Sequence, residues 1–153
     1  AMLEQLKGSM NQSNGEMFSA LASPIHGVNV HLWAYDSAVN ITQGTARSIF
    51  TSTQTYDWGS GAKGQPEIGT FKDVMQPRFL DALNAPDLER YCDELTNVFP
   101  LSRPWPYPTV RFYNLRKPGT PGIELDFRTL LIGVEYINNQ PYLYAIVNIV
   151  WEP

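Results

Sequence analysis

The chain predicts an α+β fold: an antiparallel sheet of about five strands, with N-terminal and central helices packed on it. Three observations predict it. Apolar stripes at helical spacing occupy residues 2–22 and 70–97. Segments rich in β-branched and aromatic residues, one of them strictly alternating, fill residues 27–56 and 109–151. The connections between neighbouring strands are short, which favours antiparallel pairing.

Leu3, Leu6 and Met10 make the stripe of a first helix over residues 2–12. Met17, Phe18 and Leu21 make that of a second over 15–22, with Asn14 as its N-cap and Ser23-Pro24 as its end. Residues 27–36 alternate. Val28, Val30, Leu32 and Ala34 point one way, and Asn29, His31, Trp33 and Tyr35 the other. Residues 45–56 read as a second strand, joined to the first by a hairpin loop from Asp36 to Gly44. A Gly-rich loop follows at 57–69. Thr70 and Asp73 then open a helix in the manner of a capping box, and Pro77 kinks or restarts it. Pro86, Asp87 and Glu89 suit the first turn of a further helix, whose stripe is Leu88, Tyr91, Cys92 and Leu95, to about Asn97. Pro100, Pro104, Pro106 and Pro108 make residues 100–108 an extended connector. Strands are expected at 109–115, 123–136 and 141–151. Asn138-Asn139 supplies the tight turn before the last, which is apolar on both faces and so central.

All 153 residues fit one domain. Gly8-Ser9-Met10 has the look of a cloning remnant before a start methionine, which would make residues 1–9 foreign to the fold. No run of about 18 apolar residues occurs, so no membrane partner is expected. The first residues do not read as a signal peptide, because Glu4 and Lys7 interrupt them. The single cysteine, Cys92, leans towards a reducing, intracellular setting. A net charge of −4 argues against nucleic acid as a partner.

No catalytic constellation emerges. Gly59-Ser60-Gly61-Ala62-Lys63-Gly64 matches G-x-G-x-x-G, but Pro66 and Gly69 delay the helix that a dinucleotide phosphate would need. No cofactor is therefore expected. His26, His31 and Asp36 are spaced by five, which sends neighbours to opposite strand faces, so no metal site is expected either. Cys92 lies beside Asp93 and Glu94, which oppose a reactive thiolate. Glu124, Asp126 and Arg128 alternate along a strand face that reads as solvated.

Two groups of residues stand out. His31, Trp33 and Tyr35 share a face and, with Tyr113, are candidates to line a ligand pocket between sheet and helices. Arg103, Trp105, Tyr107 and Arg111 lie in a basic, aromatic segment without acidic residues, 103–117, and are candidate partner-binding residues. An acidic pole, residues 81–94, could meet that segment head-to-tail in another copy. Only 17% of residues are charged, against about 25% in an average domain. Interface cores share this depletion. The expectation is a non-enzymatic subunit of a homo- or hetero-oligomeric assembly, in character like a virion neck or tail component, partnered by itself or by other protein subunits. The alternative is a ligand-binding protein or enzyme that uses the pocket residues.

Overall fold

Asn14 divides the first two helices. Its side-chain oxygen accepts the Met17 N–H at 3.1 Å, an N-cap that opens α2 (Gly15–Leu21) directly after α1 (Met2–Gln12). The computed structural model describes residues 2–33, 37–60, 64–93, 105–123 and 126–150. Residues 2–9 are part of α1, where Leu6, Ser9 and Met10 are buried. Gly15 is small for a packing reason, since a Cβ there would stand 1.9 Å from the Arg47 carbonyl oxygen.

β1 (Val28–His31) is the strand that the alternation predicts, though shorter than 27–36, and it pairs antiparallel with β2 (Val39–Ile41), which lies within the segment expected as the hairpin loop. The strand expected over 45–56 is replaced by a short helix, α3 (Gln43–Ala46), and turns. Two local causes are visible. Thr42 caps α3, its Oγ1 accepting the Thr45 N–H at 3.2 Å. Gln43 clamps the turn to α2, its Nε2 donating to the Ser19 and Ala22 carbonyls. Ile49 and Phe50 are consecutive and both buried, which a strand facing one core would not allow. The Gly-rich loop is itself a small hairpin of β3 (Tyr56–Asp57) and β4 (Ile68–Gly69), so it is no strand-to-helix phosphate cradle; residues 61–63 lie outside the described ones.

Thr70 caps α4 (Phe71–Val74) through the Asp73 N–H at 3.1 Å, and Pro77 sits in the first turn of α5 (Gln76–Leu83), the restart its position implies. The helix expected from Pro86 is instead β5 (Glu89–Cys92). Glu89 and Tyr91 are half-buried while Arg90 and Cys92 are exposed, a period of two. β5 pairs antiparallel with β6 (Arg111–Lys117), and Asp93 stops it with a left-handed φ of 53°. The Asp93 N–H donates to the Phe112 carbonyl at 2.8 Å, and its carboxylate accepts the Phe112 N–H at 2.9 Å. The side chain thus stands in for the next rung of the ladder. β7 (Arg128–Ile137) and β8 (Gln140–Val150) join through Asn138 and Asn139, both with positive φ, as a tight hairpin turn requires.

The protein is an α+β fold. Its main sheet has six strands in the order β2-β1-β8-β7-β6-β5, and β8 lies inside it as expected. One pairing departs from the expected pattern: β1 runs parallel to β8, with Asn29 opposite Ala145 and His31 opposite Val147. A two-residue turn fixes the β7–β8 neighbours, and connections of seven and ten residues join β1 to β2 and β6 to β7, whereas eighteen residues separate β5 from β6. The β1–β8 pair instead closes the sheet across most of the chain, where loop length imposes no direction.

Candidate functional site

The alternation of β1 is real, and it separates the candidate ligand residues. Val28, Val30 and Leu32 join the core beneath the helices, while Trp33 joins a second core on the opposite face. Tyr113 packs on the helix side, so it cannot share a pocket with Trp33, and Tyr35 lies outside the described residues. The space between sheet and helices is filled. Phe71 is its hub, with ring centroids 5.8–6.2 Å from Phe18, Phe50, Trp58 and Phe79. Trp58 is fully buried there and donates its indole N–H to the Gly69 carbonyl at 3.0 Å. The pocket expected between sheet and helices is therefore occupied by the protein's own aromatic core.

The other face is closed by residues 105–110, the described part of the Pro-rich connector, which runs as a strap over the sheet. Trp105 is 8% exposed and stacks on Phe112 at 4.6 Å. Its indole N–H donates to the Val110 carbonyl at 2.8 Å. Gly133 makes room for it: a Cβ there would lie 3.1 Å from the indole ring. Trp105 is thus a core residue, which corrects its assignment as an exposed partner-binding anchor. Tyr107 is half-buried, and its hydroxyl lies 2.5 Å from His31 Nε2. Burial, with Tyr144 nearby, pushes the Tyr107 hydroxyl up to about 12, so it stays protonated and shares a hydrogen bond with the imidazole whose direction follows the His31 tautomer. His31 is only 5% exposed. A general base needs a free lone pair facing substrate. Here Nε2 is engaged by the strap, and His31 holds a cover in place.

A β-bulge helps to build this arrangement. Gly133 pairs with Ala145 and Val134 with Leu143, so Tyr144 is the extra residue. Its ring meets Tyr107 at 5.3 Å and His26 at 5.7 Å, both edge-on. His26 Nδ1 lies 2.9 Å from both oxygens of Glu135, whose Oε1 also accepts the Ser23 hydroxyl. Serine, carboxylate and imidazole thus come together, but in an order unlike that of a nucleophilic triad. In a nucleophilic triad the imidazole stands between serine and carboxylate. Here the carboxylate stands between, and Ser23 gains no base from His26.

The basic segment meets its acidic counterpart inside one molecule. Arg111 pairs with Asp93 at 2.7 Å, Arg116 with Glu89 at 3.3 Å and Lys117 with Asp81 at 3.4 Å. Arg128 joins Asp81 at 2.8 Å. The Phe112 N–H, and then Arg111, hold the Asp93 carboxyl below its usual range. This corrects the expectation that the two poles attract each other between copies. Arg103 lies outside the described residues. Of the acidic residues expected on a strand face, Glu124 also lies outside the described ones, and Asp126 is in a turn before β7, which begins only at Arg128; there it accepts the N–H and hydroxyl of Thr120, which lower its pKa.

Sequence reasoning missed the end of the β7–β8 hairpin. β6 follows β7 only as far as Val134, yet β7 and β8 stay paired to Ile137 and Gln140. The tip therefore projects beyond the sheet, and Tyr136 on it is 58% exposed. At its base is a depression of about 180 Å³ lined by Tyr136, Val134, Tyr113, Cys92 and Arg111. Asn138-Asn139 marks the turn, but no signal in the sequence tells where β6 begins to accompany β7. A second groove, of about 330 Å³, opens between α1 and β5, with Leu3, Leu83, Leu88 and Leu115 in its wall and Glu4, Lys7 and Arg90 on its lining.

Among the described residues no group of three or more His, Cys, Asp or Glu side chains is placed to hold a metal ion. No helix is long and apolar enough to cross a membrane. No protein-family model, no curated protein and no solved structure matches the chain.

Proposed function

We propose that the chain is a non-enzymatic subunit of an oligomeric assembly, with further copies of itself as its first partner. The observation that carries this reading is where the charges go. Few residues are charged, and most described cations are spent on ion pairs within the chain. Lys7, Lys72 and Arg90 are the described exceptions. The remaining surface has few unpaired cations among the described residues and carries Ile25, Ile68, Ile123 and Tyr136, each more than half exposed. Such a surface suits burial against protein. Both imidazoles support the reading from another side, since His31 fastens the strap and His26 is held by Glu135. Solution mass measured across a concentration series tests it. The expected result is a species heavier than the 17.3 kDa monomer at micromolar concentration. A mass of 17.3 kDa at every concentration up to about 1 mM overturns it, because a weaker contact would not sustain an assembly.

A further inference from the structure

We propose that the groove between α1 and β5 is a binding site for a small amphiphilic monocarboxylate, an alkyl chain ending in one carboxylate. The proposal goes beyond the oligomeric reading and does not depend on it. The groove arises because β5 is the edge strand, one place further out than β6. Leu83 of α5 and Leu115 of β6 are buried at its floor, and the half-buried Leu3 and Leu88 stand in its walls. Its volume of about 330 Å³ is at the small end of the roughly 300–1,000 Å³ of small-molecule sites. That suits one unbranched chain better than a peptide helix, which is about 10–12 Å across.

Charge selects the head group. Among the described residues the cations without an ion-pair partner are Lys7, Lys72 and Arg90, and two of these three line this one groove. Arg90 stands opposite Leu115 in the ladder, and its guanidinium lies over the Tyr113 ring, 4.5 Å from the centroid. A ring holds a guanidinium by its face, which leaves the N–H edge for a bidentate carboxylate. The neighbouring Glu89 pairs with Arg116, on the residues that alternate to the other face. Asp87, between Pro86 and Leu88, is exposed and outside the lining. Glu4 is the one acidic side chain of the described lining. Two cations against one carboxylate leave a single positive charge, which complements one carboxylate and not a doubly charged phosphate ester.

Titration of the full chain with sodium decanoate, followed by backbone amide shifts, tests the site. Saturable binding is expected, with the largest shifts at Leu88, Arg90 and Leu115. Octanoate should bind about three-fold more weakly or worse, because two methylenes leave the leucine walls. Decanol, with the chain but no charge, should also bind more weakly than decanoate. Lys7→Gln and Arg90→Gln together are expected to weaken decanoate about ten-fold and to leave decanol unchanged. Lys72→Gln removes the same charge elsewhere and should keep decanoate within about two-fold of the parent. No saturation up to about 1 mM overturns the proposal. So does equal binding by the Lys7/Arg90 and Lys72 variants, and so does decyl phosphate binding as tightly as decanoate. If decanoate fails to bind while the Lys7/Arg90 variant loses an assembly that the parent shows, the groove is a contact between copies, and the ligand proposal falls while the oligomeric reading stands.

Discussion

The sheet is covered twice, by unlike means. On one side four helices, α1, α2, α4 and α5, surround a core whose rings meet at Phe71. On the other side, among the described residues, 105–110 lie over the sheet, with Trp105 flat on Phe112 over Gly133 and Tyr107 reaching His31. The helical cover is made of segments that carry their own periodicity. The strap has none, and it is held by a few specific contacts to strands distant in the chain. The comparison teaches that an aromatic, proline-rich segment can be half of a core, its prolines lowering the entropy lost when it lies down.

Truncating one ring on each side should separate the two covers. Phe18→Ala removes a fully buried ring from the helix-side cluster and is expected to cost about 4 kcal/mol, with loss of amide protection throughout the molecule. Trp105→Ala is expected to cost less, about 3 kcal/mol, because the cavity opens at the edge of a thin cover and can fill with water. Its loss of protection should concentrate at the sheet residues beneath, around Leu131 and Val147. Denaturant unfolding with hydrogen exchange reads both. An equal cost, with protection lost everywhere in both variants, would make the strap as integral as the helices and erase the contrast.

The same contrast explains what was legible in the sequence. Asn14, Thr70, Pro77 and Asn138-Asn139 act on their own neighbours, and each does what its residue type predicts. The alternation of β1 likewise told which side chains face which side. Two segments failed for one physical reason. Leu88, Tyr91, Cys92 and Leu95 fit a helical stripe, yet the edge of β6 draws residues 89–92 into a strand. Residues 45–56 are rich in strand formers, yet the Gln43 clamp and the burial of Ile49 and Phe50 turn them inward. Tertiary contacts outweigh propensities worth less than about 1 kcal/mol per residue. The same holds for the candidate sites. The aromatic character of Trp105 and Tyr107 was visible, but that their partners are Gly133 and His31 of the same chain was not. The projection of Tyr136 depends on where β6 begins, which is a property of the register.

A smaller change asks what fastens the strap. Tyr107→Phe keeps the ring and deletes the hydroxyl that is hydrogen-bonded to His31, with an expected loss of about 1 kcal/mol near neutral pH. The pH dependence is the sharper measure. The Tyr107 hydroxyl rises from its ordinary value of 10.0 to about 12 in the folded protein. Between these values the unfolded chain gives up the proton while the folded chain keeps it. The group's contribution is therefore whole below pH 10 and drains away as pH climbs to about 12. Denaturation midpoints across this window should fall more steeply for the parent than for the Phe variant. Parallel curves would mean that the hydroxyl is not shielded by the strap.

The smallest effect is expected at Asp93, which ends β5 beside the start of β6. Asp93→Asn keeps an acceptor oxygen for the Phe112 N–H, and asparagine tolerates the left-handed φ of 53°. What goes is the charge. In the folded protein the Phe112 N–H, then Arg111, lower the Asp93 pKa from 3.8. A depressed carboxyl contributes stability above its unfolded pKa and loses it as pH falls through the folded value. The parent should therefore lose stability on acidification below about pH 4 more steeply than Asp93→Asn, while the two differ only slightly near neutrality. Salt discriminates the causes. The bond to the Phe112 N–H is short-ranged and survives high ionic strength, whereas attraction to the exposed Arg111 guanidinium is screened. Most of the difference in acid slope should therefore persist in concentrated salt, because the backbone bond is the larger cause. A difference that disappears with added salt would assign it to Arg111 instead. The rung that Asp93 supplies to the end of β5 would then be a matter of geometry alone, owing nothing to the carboxylate charge.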